Sequence, residues 1–456
     1  MSPHEKPQPP DIENIKRQLR TATPQRLTYT IKTVTPMFGG GVEAGVVDTE
    51  MPVRATAIRG HLRFWWRMLF GANRLPEDLL KEENSLWGAT NFPSKININI
   101  QQKPKKAEWR KFKDYPTDKT KGNFGFKNFK PELYSLFPAV QNKTTTLLKE
   151  DYSFKLILSL DPCITNKDRS NIEDTLYAWI NFGGLGARTR RGCGSLIICG
   201  NKYPKWPMPD GIQVFLKKEN YKTALQAWSD AVEAYQSYRQ GFRGERHEKL
   251  RNGKKIYAPG RSKWPEPDAI RNITGCALKP KYSSNKKIDP LTDTNDHSIP
   301  VVDKSFLNAF PRAVLGLPIN FHFADGANKQ REPAPWEDPA DAELLPLPLE
   351  GNEDTEHFLR MASPVITKPV FINDSWHAMI AILPYAHALN MRARLFYKSV
   401  ESDEKNRVDI NVDNIHGQLF LGHTYLTPMR DCANAIEGLI NFIKREKKFV
   451  QWEQRS

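Results

Sequence analysis

Cysteine is scarce in this chain: Cys163, Cys193, Cys199, Cys276 and Cys432 are all there is, an odd number with no CxxC pair. A zinc ribbon or disulfide framework is excluded as the organising device, and a reducing cytoplasmic setting is expected. Long apolar runs are missing too. No stretch approaches the roughly 18 residues of a membrane span, so no membrane partner is expected. Met1 to Pro10 is polar and proline-rich, without the pattern of a secretory signal. The histidines are scattered, with no HExxH or HxE; no metal or other cofactor is expected. Acid is in deficit: 52 Asp and Glu against 67 Lys and Arg leave a net charge of +15 over 456 residues. That excess favours a polyanionic partner, nucleic acid first.

Against these absences stands one stretch with two faces, Val53 to Phe70. Ile58, Leu62, Trp65, Trp66 and Leu69 recur at helical spacing and make an apolar stripe. Arg59, Arg63 and Arg67 recur at i, i+4 and i+8 and make a second, rotated roughly 100–120° from the first, with about 6 Å between successive positions. Guanidiniums at that interval suit a run of phosphates, each taking a forked pair of hydrogen bonds; the alternative is a solvated basic face. His61 lies beside the stripe, as a phosphate donor, a polar helix edge, or a general base for RNA cleavage by a 2′-hydroxyl. Upstream, Leu27 to Val34 alternates as a strand, and Thr35-Pro-Met-Phe-Gly-Gly-Gly41 breaks it. Gly39, Gly40 and Gly41 let the backbone approach a ligand closely, and Arg54 stands at the entry to the helix.

Residues 1–25 read as a flexible leader. Ile96 to Ile100 alternates strictly as a second strand. From Gln101 to Glu150 the pattern dissolves into a basic insertion interleaved with aromatics (Trp109, Phe112, Tyr115, Phe124, Phe126, Phe129). That mixture suits single-stranded nucleic acid, or anchors an insertion onto its parent domain. Tyr152 to Leu160 is a third strand. Ser170-Asn-Ile-Glu173 has capping-box spacing for a helix, Gly183 is placed to end it in the left-handed conformation, and Ser195 to Cys199 is a fourth strand. The order β-α-β-β-α-β is ferredoxin-like.

Phe182 to Gly194 joins that helix to the last strand. It holds five glycines, Gly184 and Gly186 among them, and Arg188, Arg190 and Arg191. Its GxG follows a helix and precedes a strand, the wrong context for a dinucleotide fingerprint, and it lacks the Lys-Ser/Thr of a P-loop. A Gly-rich, Arg-bearing loop at this point of a ferredoxin-like domain resembles the signature of the RAMP superfamily of CRISPR proteins. Together with Thr35–Gly41 and Ile58-Arg-Gly-His-Leu-Arg-Phe-Trp-Trp-Arg67, it resembles the first RAMP subunit of Cmr-type (type III-B) effector complexes.

The second half opens with a helix from Tyr221 to Arg239. Residues 241–263 are basic and irregular. Arg261-Ser-Lys-Trp-Pro-Glu-Pro-Asp-Ala-Ile-Arg271 is expected to be held extended by Pro265 and Pro267, with Trp264 as a base platform between Arg261, Lys263 and Arg271, or as a core residue. Phe310 to Phe323, with Arg312, reads as a short helix and a strand. Residues 325–356 reverse the charge and read as an acidic, solvated loop. Met361–Lys368 and Trp376–Leu383 are strands of a second sheet, and Thr427-Pro-Met is placed to open the last helix.

The expected class is α+β: two ferredoxin-like (RRM-like) βαββαβ domains, at 26–205 and 206–456, with long basic and acidic insertions. The resemblance implies a non-catalytic RNA-binding subunit in the cytoplasm. Its partners would be CRISPR guide RNA, held toward the 3′ end, target RNA, and other RAMP subunits. The alternatives are a metal-independent guide-RNA endoribonuclease using His61 and a general single-strand binder outside any complex.

Overall fold

The computed structural model describes residues 25–43, 45–105, 109–112, 134–141, 145–200, 205–240, 247–251, 254–258, 264–274, 309–323, 339–347, 360–398, 405–410, 428–429 and 432–453. Expectations for the leader, for Arg261 and Lys263, for Thr427 and for most of the basic insertion lie outside these residues. Two compact units emerge. The first takes in residues up to 116, 138–189 and 193–210; the second takes in 117–137, 190–192 and 211–456.

Unit 1 has the elements β1 (Gln25–Thr33), α1 (Ala55–Phe70), α2 (Pro76–Trp87), β2 (Ile96–Gln101), β3 (Ser153–Leu160), α3 (Asn166–Phe182) and β4 (Leu196–Ile198). The sheet order is β2-β3-β1-β4, every neighbouring pair antiparallel. Period-two sequences build it. Leu27, Ile31, Ile96, Ile98, Phe154, Leu156 and Leu158 point into the core, while Thr28, Thr30, Asn97, Asn99 and Lys155 stay exposed on the other face. That open face carries no aromatic side chain among the described residues. The base-stacking platform that an RRM-like reading implies is therefore missing from this sheet.

Local caps differ from expectation. The cap of α3 is Thr165, whose hydroxyl accepts from Asp168 N at 3.0 Å, so the helix begins before Ser170. Gly183 ends it in extended backbone (φ −98°, ψ −152°) rather than left-handed. Contact explains that glycine: a β-carbon there would lie 2.6–2.7 Å from Trp179 and from Trp65 Nε1.

Unit 2 repeats the connectivity: β5 (Gln213–Lys217), α4 (Ala224–Arg239), β8 (Val365–Ile372), β9 (Ser375–Ile382), α6 (Ala435–Arg445) and β12 (Phe449–Gln451), in the sheet order β8-β9-β5-β12. Between α4 and β8 lie α5 (Glu266–Thr274), β6 (Ile319–Phe321) and β7 (Ala342–Pro346); β10 (Ala393–Lys398) and β11 (Lys405–Ile410) follow β9. These complete a second sheet, β6-β7-β10-β11. Two expectations fail here. The Pro-Glu-Pro segment is helical, because Pro265 and Pro267 fall at the start of α5, where a missing N–H costs nothing. The acidic stretch contains a strand, β7, built by Ala342-Glu-Leu-Leu-Pro346 pairing with β6 and β10. The last helix is capped by Asn434, which accepts from Ile436 N and Glu437 N.

Candidate nucleic-acid interface

In unit 1 the two glycine loops meet backbone to backbone. Ala187 N donates to the Phe38 carbonyl at 2.6 Å, and Gly194 N donates to the Pro36 carbonyl at 2.9 Å. Gly186 has φ +78°, and a β-carbon on it would sit 2.6 Å from Phe38 O and 3.1 Å from Gly39 O. Gly40, at φ +97°, faces Gly186 Cα at 3.1 Å from its own β-position. The glycine density is thus accounted for by the chain's approach to itself. Gly184 is equally tight, 2.8 Å from Gly194 O. Arg54 fixes the far side of this crossing: its Nη2 donates to Gly40 O at 2.6 Å and, more weakly, to Gly41 O at 3.4 Å. Beyond the crossing, Val42 and Met51 are exposed. Arg188 adopts φ +60°.

The arginine stripe is real but unequally free. Its apolar companions Ile58, Leu62, Trp65 and Trp66 are buried, so an apolar face holds α1. Arg63 Nε contacts Glu83 Oε1 at 2.5 Å, and Arg67 Nη1 bonds the same oxygen. Glu83 belongs to α2, and its side chain is only 4% exposed. Two of the three arginines thus share one buried carboxylate. Arg59 is half-buried and, among the described residues, has no ion-pair or hydrogen-bond partner. Glu83 had a signal in the sequence: it interrupts the apolar face Leu79, Leu86, Trp87 of α2, and an acid in such a stripe needs a cation beside it.

His61 stacks on Trp179, centroids 6.0 Å apart and planes 15° apart. Burial holds its pKa below the usual 6.5, so it is neutral at pH 7. Because the folded value is depressed, stability from this residue is present above about pH 6.5 and declines as pH falls below it. Imidazole resonances followed by NMR should give a His61 midpoint below 6.5, and His61→Phe should remove that share of the acid sensitivity.

The remaining predicted residues that the structure describes, Arg190, Arg191, Trp264, Arg271 and Arg312, lie in unit 2. Arg190 donates to the Ser363 carbonyl, and burial together with the neighbouring Arg191 charge lowers its pKa. Arg191 Nη1 donates to Val365 O at 2.7 Å, and its guanidinium lies 4.2 Å over the Tyr235 ring. Trp264 is fully buried and donates to Tyr238 O at 3.2 Å, so it is not available as a base platform in this fold. Arg271 pairs with Asp268 at 2.8 Å and is itself buried. Arg312 Nε lies 3.1 Å from the fully buried Glu266. Arg271 and Arg312 neutralise buried acids, which side-chain type alone does not reveal.

Among the described residues no group of three or more His, Cys, Asp or Glu is placed to hold a metal ion. No helix among them is long and apolar enough to cross a membrane.

Comparison with known proteins bears on the same region. Residues 30–197 match the family model of the RAMP superfamily. A curated relative, the CRISPR system Cmr subunit Cmr1-1 of Pyrococcus furiosus, is 28% identical over 160 residues, which is 34% of this chain and 43% of that protein. The match thus spans less than half of the relative's length. Among solved structures, the apo crystal structure of Cmr1 from Pyrococcus furiosus aligns with a TM-score of 0.40 at 15% identity, covering 85% of this chain and 95% of that one. A chain of the type III-B Cmr-beta complex, bound to cognate target RNA and AMPPnP, aligns with a TM-score of 0.35 at 15% identity, covering 79% and 95%. Over these residues the chain is similar to the RAMP superfamily and, within it, to a Cmr subunit.

Proposed function

From the RAMP-superfamily match over residues 30–197, we propose that this chain is a non-catalytic RNA-binding subunit of a Cmr-type ribonucleoprotein. It holds guide RNA toward its 3′ end and supports pairing with target RNA. The observation that carries the reading is the position of the match: it encloses both glycine loops and the whole of α1. The relative's printed name makes it a Cmr subunit, and the +15 charge favours a polyanion. The repeated strand order supports a ferredoxin-like reading of both units. Since the open sheet face of unit 1 lacks aromatics, we place the RNA on the loops and on α1. There the protein reads backbone, and base pairing reads sequence.

The nuclease alternative has less support. His61 is neutral, as a general base must be, but it stacks on Trp179 and has no acid to orient it among the described residues.

The test is binding of a labelled single-stranded RNA in EDTA over a salt series, with the RNA then run on a denaturing gel. Affinity should fall with salt at a slope of about 0.7 per phosphate contact, and the RNA should remain full length. Arg59→Ala should reduce that slope by about 0.7 without lowering the melting temperature. Shortened RNA would establish cleavage. A salt-independent affinity would remove the phosphate-contact reading.

A further inference from the structure

We infer that Glu83 is a positioning residue, which fixes Arg63 and Arg67 as a preorganised pair for a polynucleotide phosphate. This rests on the RNA-binding reading above. Both guanidiniums bond the same carboxylate oxygen, Glu83 Oε1, from positions one helical turn apart. Arg63 is held a second time, with Nη1 3.4 Å from Gly88 O. Those bonds use Arg63 Nε and Nη1 and Arg67 Nη1. Arg63 Nη2 and Arg67 Nε and Nη2 have no other partner among the described residues, and the two side chains are 29% and 41% exposed. Two arginines on one carboxylate leave a net charge of +1. Arg59, one turn earlier on the same stripe, brings the face to +2.

The arrangement differs from an ordinary staple between α1 and α2. A staple needs one cation for one acid, and the second cation adds repulsion unless an anion completes the site. Arginine also loses rotamer entropy when it binds, so a side chain already fixed by Glu83 binds phosphate at lower cost. A phosphate of single-stranded RNA would take remaining N–H groups from both guanidiniums.

The two accounts differ in the sign of one measurement. Glu83→Gln keeps the shape of the side chain and raises the local charge by one. If Glu83 only neutralises, the variant binds RNA as tightly as wild type or more tightly. If Glu83 positions, the variant binds about fivefold more weakly despite the added positive charge, and its salt slope is shallower by about 0.7 or more. Both proteins are measured as full chains against the same labelled RNA, below the lower of their melting temperatures. Unchanged or tightened binding overturns the proposal.

Arg67→Ala is the second variant, and it tests whether the pair contacts phosphate at all, independently of how Glu83→Gln folds. It leaves Glu83 paired with Arg63, so the fold persists. A slope reduced by about 0.7 supports the site, and an unchanged slope overturns it. Failure of wild type to bind RNA would overturn both this inference and the function it rests on. That outcome is distinct from wild-type binding with unaltered variants.

Discussion

Gly186→Val should abolish the folded state of unit 1 at ordinary growth temperature, with loss of soluble protein or a destabilisation of about 4 kcal/mol or more. Two causes add. Positive φ is a strained conformation for a β-branched residue, costing about 1–3 kcal/mol. The new side chain would also enter space occupied by the Phe38 and Gly39 carbonyls, with its β-carbon 2.6 Å from the first. Relief would require breaking the Ala187 N to Phe38 O hydrogen bond, which joins the two loops. Circular dichroism melts of Gly186→Ala and Gly186→Val check the account: Ala should be destabilised and Val more so. A Val variant melting like wild type would mean that the loops do not touch.

The Arg190→Ala, Arg191→Ala double variant should be destabilised by about 3 kcal/mol or more. Hydrogen bonds from charged groups contribute about 1.5–3 kcal/mol each. Here they end on backbone carbonyls of unit 2, at Ser363 and Val365, and Arg191 also covers the Tyr235 ring. From sequence, these two arginines and Arg188 look like one exposed basic cluster, whose loss would leave the melting temperature nearly unchanged. The structure ties Arg190 and Arg191 to backbone carbonyls. A differential scanning calorimetry comparison of the double variant with wild type distinguishes the readings, since the double variant should melt early.

Legibility followed periodicity. Strands such as Ile96–Ile100 and Ser153–Leu160, and helices such as α1 and α4, could be read because one face is apolar and the period is unmistakable. Caps were harder: Thr165 and Asn434 compete with other hydroxyl and amide residues nearby, and only three-dimensional context selects among them. The short strand β7 was hidden because its acidic, proline-bearing surroundings look solvated, while Ala342 and Leu344 are buried. The glycine loops were legible as tight backbone, but their partner was not. A glycine records that something lies close without recording what, and here each loop supplies the other.

Arginine gave the least reliable signal. Arg59, Arg63, Arg67, Arg271 and Arg312 are the same residue type in similar basic surroundings. The fold commits Arg63 and Arg67 to Glu83, Arg271 to Asp268 and Arg312 to Glu266. The acids responsible lie 3 to 46 residues away in sequence, so most of the pairings are tertiary. This also changes how α1 should be probed. Replacing Arg59, Arg63 and Arg67 together would leave a buried carboxylate without a cation, which costs about 3–5 kcal/mol. Loss of RNA binding in that triple variant would therefore confound charge with folding. Single replacements at Arg59 and Arg67 avoid the difficulty.

The central claim, that the chain works as an RNA-holding subunit among other RAMP subunits, is most directly tested by co-expression of the tagged full chain with Cmr-type subunits and guide RNA. After high-salt washing and gel filtration, the account predicts that the chain elutes in one large particle with those subunits. It further predicts that the particle's guide RNA is protected at its 3′ end only when this chain is present. Elution of the chain alone and free of RNA, with the remaining subunits and guide protection unaltered, would contradict it.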